Sequence, residues 1–167
     1  MAKYQYGCTK AEIGVMDPED GTITWGAEVD IYQDSIVIDE PEATKTEHFK
    51  QGDPDPKVTR YGRTAKTIAF SIMDMSAASK VVWLGGTVTT VTTVDTWNAP
   101  AQPVKSTVKA LRFTLEDGSI IIVPNAECAA RLSSNLNETD IGLMPVVATV
   151  KSTGVEAVSA FQWSDAA

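Results

Sequence analysis

His48 is the only histidine in the chain, so any Ser–His or Cys–His chemistry would have to run through it. It stands between Glu47 and Phe49 in a polar stretch. No Gly-x-Ser-x-Gly or other nucleophile turn offers it a partner, and it reads as a surface or interface histidine. Glu40 and Glu42 would share a strand face and could shift each other's pKa, as paired carboxylates do in glycoside chemistry. With 22 acidic residues in the chain such pairs are common, and a solvated or interface role is the simpler reading. Asp53 and Asp55 are interleaved with Pro54 and Pro56 and lack the later Glu that completes a calcium loop, so they read as turn residues. Gly85-Gly86 lacks Walker spacing and follows a helical pattern, whereas a phosphate cradle precedes one. Asn137-Glu138-Thr139 matches a glycosylation acceptor, but Met1 to Lys10 has no apolar leader to accompany it. Cys8 and Cys128 form no Cys-x-x-Cys pair, so neither a zinc site nor a disulfide framework is indicated, and Cys128 reads as a buried thiol. The expectation is a protein without catalytic residues, metal or cofactor.

Those residues must be carried by something, and the composition bounds what. A chain of 167 residues with 43% hydrophobic and 22% charged side chains is sized for one globular domain with one core. No apolar run reaches the length of a membrane span, and the expectation is a chain made in the cytoplasm that does not bind membranes by itself. The net charge of −8 argues against ordinary binding of nucleic acid or anionic lipid. It leaves room for a surface that DNA merely passes. Glu28, Asp30, Asp34, Asp39, Glu40 and Glu42 occur with no base among them, while Lys57, Arg60, Arg63 and Lys66 occur with no acid among them. Such blocks can pair within a subunit or between neighbours.

The pattern of elements is mostly β. Residues 1–30 read as an N-terminal hairpin or arm, broken by the turn residues Asp17 to Gly21. Ile36, Val37 and Ile38 open a long stretch to Phe49. The Pro-rich loop Gly52 to Pro56 follows, then a second long stretch from Val58 to Met73 in which Ile68, Phe70 and Ile72 alternate with Thr67, Ala69 and Ser71. With arms of ten to fifteen residues, this hairpin would be about 35 to 50 Å long at about 3.3 Å per residue and would protrude from the domain. Ser76 as N-cap and Gly85-Gly86 as stop bracket a helix of about ten residues. Residues 87–103 suggest a strand and an exposed connector, a surface insertion in which Trp97 is the most exposed of the four tryptophans. Val104 to Leu115 and Ser119 to Val123 flank Glu116-Asp117-Gly118 as a hairpin. Separate strands are expected from Ala126 through Leu132 to Leu136 and from Leu143 to Val150. The fold class is a two-sheet sandwich or β-barrel with one short helix and a long protruding hairpin.

The long hairpin with a polar tip, the helix ending at Leu84-Gly85-Gly86, the following hairpin and the closing pattern Val123-Pro124-Asn125-Ala126 through Leu132, Leu136, Asp140 and Leu143 resemble phage major tail tube proteins. That family is similar in fold to the tube proteins of contractile injection systems and type VI secretion. The resemblance covers about Ser35 to Val150 and rests on layout, without a catalytic motif.

The resemblance implies a virion tail subunit that forms hexameric rings, joins its sheets into one inner barrel and stacks into a tube through which DNA passes without specific binding. Lys50, Gln51, Gly52, Asp53, Pro54, Asp55 and Pro56 would then form an inter-ring stacking loop, and Asp39, Glu40, Glu42, Lys57, Arg60, Arg63 and Lys66 would be subunit-interface charges. Implied partners are the chain itself, tape-measure and baseplate or tail-tip proteins, and a sheath where the tail contracts. A monomeric ligand-binding barrel is the competing class, and a carboxylate enzyme the least favoured.

Overall fold

The computed structural model describes residues 4–135 and 137–166, so Leu136 lies outside the described residues. One large antiparallel sheet dominates. β1 (Cys8–Met16) and β2 (Ile23–Glu28) form the first hairpin, closed by an Asp17-to-Asp20 turn in which Asp17 Oδ1 accepts from the Glu19 amide at 2.8 Å. The hairpin is not a detached arm. β1 pairs along its length with β9 (Thr107–Leu115), so the N-terminal segment is built into the sheet.

The sheet continues through β10 (Ile120–Ala130), β11 (Met144–Val150) and β6 (Thr67–Ile72) to the short edge strand β3 (Val37–Asp39), in the order β2-β1-β9-β10-β11-β6-β3, with β12 (Gln162–Ser164) added beside the start of β10. It curls into a half-barrel. The alternation expected in Ile68, Phe70 and Ile72 is realised: all three are buried, against Leu111, Phe113, Ile121, Val123, Met144 and Val146. The expected strand from Ala126 to Leu136 is instead the second half of β10, which ends at Ala130, and Leu132 is exposed in the loop beyond. Pro124 sits inside β10 where the pairing with β9 shifts between Val123 and Ala126. A bulge is where a residue without an N–H can occupy a strand.

α1 (Ala77–Leu84) is eight residues long. The Ser76 hydroxyl accepts from the Ser79 amide at 3.2 Å, and Gly85 and Gly86 end the helix at φ 74° and 93°. At Gly86 a Cβ would lie 2.2 Å from the Asn98 carbonyl oxygen, so close approach as well as conformation requires glycine there. Trp83 carries the helix into the core, edge-on to Phe70 at 5.9 Å.

Residues 87–98 form a second small ribbon. β7 (Thr87–Val91) and β8 (Val94–Asn98) pair only with each other, through a two-residue turn at Thr92 and Thr93. The sequence suggests one strand and a connector because Thr-Thr carries none of the usual turn residues. Trp97 is half-buried, donating through Nε1 to the Gly85 carbonyl at 2.9 Å. Trp163, at 47% exposure, is the exposed tryptophan.

Candidate functional site

The long hairpin is present but interrupted. Its inner part is the β3–β6 pair of the main sheet. Its outer part is a separate ribbon, β4 (Lys45–Phe49) paired with β5 (Pro56–Tyr61). Pro41, unable to donate a ladder bond, falls in the break between β3 and β4. The two sides are held there by the Gly62 amide on the Thr44 carbonyl at 2.8 Å and by the Lys66 ammonium on Glu40 at 2.7 Å. The outer strands of five and six residues reach about 17–20 Å, less than the continuous arms the sequence suggests.

Every residue of β4 and β5 is exposed, including Phe49 at 57%, Val58 at 49% and Tyr61 at 66%. His48 lies on this ribbon opposite Val58. The tip Lys50, Gln51, Gly52, Asp53, Pro54, Asp55 turns back through the Asp53 amide on the Lys50 carbonyl at 3.0 Å, with Gly52 at φ 90° and open space around it. Pro56, expected in the loop, begins β5.

The charge blocks meet at one point only among the described residues, Lys66 with Glu40. Lys45 pairs with Glu47 on its own strand, and that hydrogen bond raises the Lys45 pKa. Lys57, Arg60 and Arg63 have no carboxylate within ion-pair distance among the described residues. Glu40 and Glu42 lie between β3 and β4 and do not share a strand face. Asp39 ends β3 opposite Thr67.

A second feature was invisible in the sequence. A cleft of about 1230 Å³ opens between the first residues of β1 and the segment 28–36 that leads from β2 to β3. Ile36, Phe113, Leu115 and Ile121 line it as apolar residues, and Glu28, Asp30, Asp34, Asp74 and Glu116 as acids. The whole lining comes from stretches scattered between Gln5 and Trp163, and only the curl of the sheet brings them together.

Compared with protein-family models and with curated proteins, the sequence matches none. Two further ionisable groups owe their shifts to burial. Burial pushes the Cys128 thiol up to about 12, the state of an inert core cysteine. Burial likewise lowers Lys109, whose ammonium lies 5.6 Å from the Trp83 ring centroid. Among the described residues, no group of three or more His, Cys, Asp or Glu side chains is arranged to hold a metal ion.

Among the described residues β2 and β3 pair with no further strand and not with each other, but residues 29–32 between them tie the two sides of the half-barrel at one end, through the Val29 amide on the Ala11 carbonyl at 2.8 Å, the Tyr32 amide on the Ser71 carbonyl at 2.8 Å and the Met73 amide on the Asp30 carbonyl at 2.9 Å. The surfaces on offer are therefore two strand edges, the exposed ribbons β4–β5 and β7–β8, and an acidic cleft.

Proposed function

We propose that this chain is a non-enzymatic structural subunit of the tail-tube kind, which works by assembling with copies of itself. The observation that carries the reading is the β4–β5 ribbon, eleven strand residues without one that is buried. A two-stranded ribbon alone is marginal in water, and exposed strand edges are templates for pairing with another chain. A neighbouring subunit supplies the missing contact. The free edges β2 and β3 of successive copies join into a ring, in keeping with hexamers, and the tip Lys50 to Pro56 reaches the next ring.

In this reading the tube belongs to a virion tail and is made in the host bacterial cytoplasm. It meets tape-measure and baseplate or tail-tip proteins, and a sheath where the tail contracts, and DNA passes without specific contact, as the net charge of −8 favours. A tube subunit of a contractile injection or type VI-like secretion system would share the geometry and differ in its partners. One observation favours a different class: the cleft, at about 1230 Å³, is large enough for a small molecule, as a monomeric ligand-binding protein would need.

Negative-stain microscopy with light scattering at micromolar concentration separates these. Rings or tubes, and a scattering mass of a hexamer or more, are expected. A species that stays at 17.9 kDa at high concentration overturns the proposal.

A further inference from the structure

The acidic cleft and the exposed ribbon are complementary, and nothing within one subunit joins them. Five acids and one base, Lys10, line the cleft. That base is already engaged with Glu12 at 3.2 Å. The ribbon and its flank, residues 45–63, carry Lys45, Lys50, Lys57, Arg60 and Arg63 against Glu47, Asp53 and Asp55, so the excess is positive. The ribbon also exposes Phe49 and Tyr61 on one face and Val58 on the other, and the face with Phe49 and Tyr61 would cover the apolar lining still accessible at Ile36, Ile38 and Leu115.

From this we infer that the cleft between β1 and residues 28–36 receives the β4–β5 ribbon of a second copy, through its apolar side chains and through its unpaired cations against Glu28, Asp30 and Asp34. The inference rests on the self-assembly reading and names the acceptor surface that reading lacks. Opposite charge at the rim steers and registers such a contact, while the desolvated apolar centre supplies most of its affinity. Within each subunit the donor ribbon and the acceptor cleft are built from different residues, so the contact is head-to-tail and propagates.

The chain carries its own reporter. Cys8 lines the cleft, half-buried with its thiol donating to the Lys10 carbonyl at 3.2 Å. Val58→Cys changes an exposed ribbon residue and leaves the core untouched. Treated with a short bismaleimide at mildly alkaline pH, the full-length variant should yield cross-linked dimers and higher species on a denaturing gel. Adding Cys8→Ser should remove them. Glu28→Lys with Asp30→Lys, in the Val58→Cys background, should lower the yield at least fivefold. The absence of any cross-linked species, or an undiminished yield without Cys8, overturns the inference; so does a yield indifferent to the two reversals. Tubes without the Cys8 cross-link would leave the tube reading standing and the cleft assignment wrong. The cross-link without tubes would do the reverse.

Discussion

The Arg112 guanidinium clasps the Glu12 carboxylate from the strand opposite, with Nε at 2.7 Å and Nη2 at 2.6 Å from the same Oε2, and its Cζ lies 4.4 Å from the Trp25 ring centroid. The pair ties β1 to β9 and β2 on the side of the sheet away from Phe113. Burial by itself would raise the Glu12 pKa, but the hydrogen bonds and charges of Arg112 and Lys10 outweigh it and hold the carboxyl below its ordinary 4.5.

A carboxyl depressed in the folded state adds stability above its unfolded pKa and loses it as pH falls through the folded one. Glu12→Gln should cost about 1–2 kcal/mol near neutral pH after allowance for solvent screening. In a chain of this size that lowers the thermal midpoint by about 3–6 °C. The gap between variant and parent should shrink as pH falls below the ordinary 4.5 and Glu12 takes up its proton. Melting curves across that range check the claim, and a gap independent of pH would refute it.

Phe70 is edge-on to both Trp83 at 5.9 Å and Phe113 at 5.8 Å, so one ring joins the helix to two strands of the sheet. Phe70→Ala should destabilise the fold by about 3–5 kcal/mol through lost burial and the cavity left behind. Urea unfolding followed by circular dichroism measures it. A loss below about 1 kcal/mol would mean that the core collapses around the gap.

Thr92 and Thr93 form the whole connection between the paired Val91 and Val94, at φ 47° and 72°. Left-handed backbone at a β-branched residue is strained, and a two-residue hairpin turn with both φ positive prefers Asn-Gly. Thr92→Asn with Thr93→Gly should relieve about 1 kcal/mol or more locally. Amide exchange over residues 87–98 should slow by a factor of about 5, while the global melt hardly moves because the ribbon pairs with no strand of the main sheet. Unchanged exchange would show that the turn is not what limits the ribbon.

The contrast between the two ribbons explains how much of the molecule was legible in sequence. Asp117-Gly118 between apolar runs announced β9 and β10, since Gly118 adopts φ 84° and Asp117 accepts from Ser119 at 2.9 Å. Thr92-Thr93 carries no turn signal, so the sequence suggests a single strand where the β7–β8 hairpin stands. Ile68, Phe70 and Ile72 revealed their face through period 2, whereas Pro124 looked like a strand end because a bulge cannot be seen in one strand alone. The tip Gly52 to Pro56 was readable from its own residues. The cleft was not, because its walls come from stretches between Gln5 and Trp163 and meet only through the curl of the sheet. Pairing of opposite charges was suggested by sequence, but which base meets which acid depends on the break at Pro41, and there only Lys66 finds Glu40.

The tip itself should serve assembly and not folding. Gly52 has nothing within 4 Å of where a side chain would stand, and changes at exposed loops usually move stability by no more than about 0.5 kcal/mol. Deleting Asp53 to Asp55 should leave the circular dichroism spectrum intact while blocking tube growth in the electron microscope. Tubes of ordinary length from the shortened chain would exclude the tip as the inter-ring contact.

Arg60 and Arg63 can be set against Lys66 because the three bases of one run have different surroundings. Lys66 holds Glu40 at 2.7 Å within the subunit. Arg60 lies opposite Thr46 on the exposed ribbon, and Arg63 follows the end of β5; neither meets a carboxylate among the described residues. A surface ion pair contributes only about 0–1 kcal/mol, so Lys66→Ala should shift the thermal midpoint slightly and leave assembly near the parent level. Arg60→Glu with Arg63→Glu removes no internal pair and should leave the midpoint within about 2 °C. Yet in a ring the reversal is repeated at every contact, and like charges would face each other where opposite ones should meet. Sedimentation should therefore show the double variant as small species under conditions in which the parent assembles. Added salt should narrow the difference, because screening acts over about 8 Å at physiological ionic strength. A collapsed midpoint with normal assembly of the surviving folded protein would mean that the two arginines act inside the subunit, and the interface role proposed for them would be wrong.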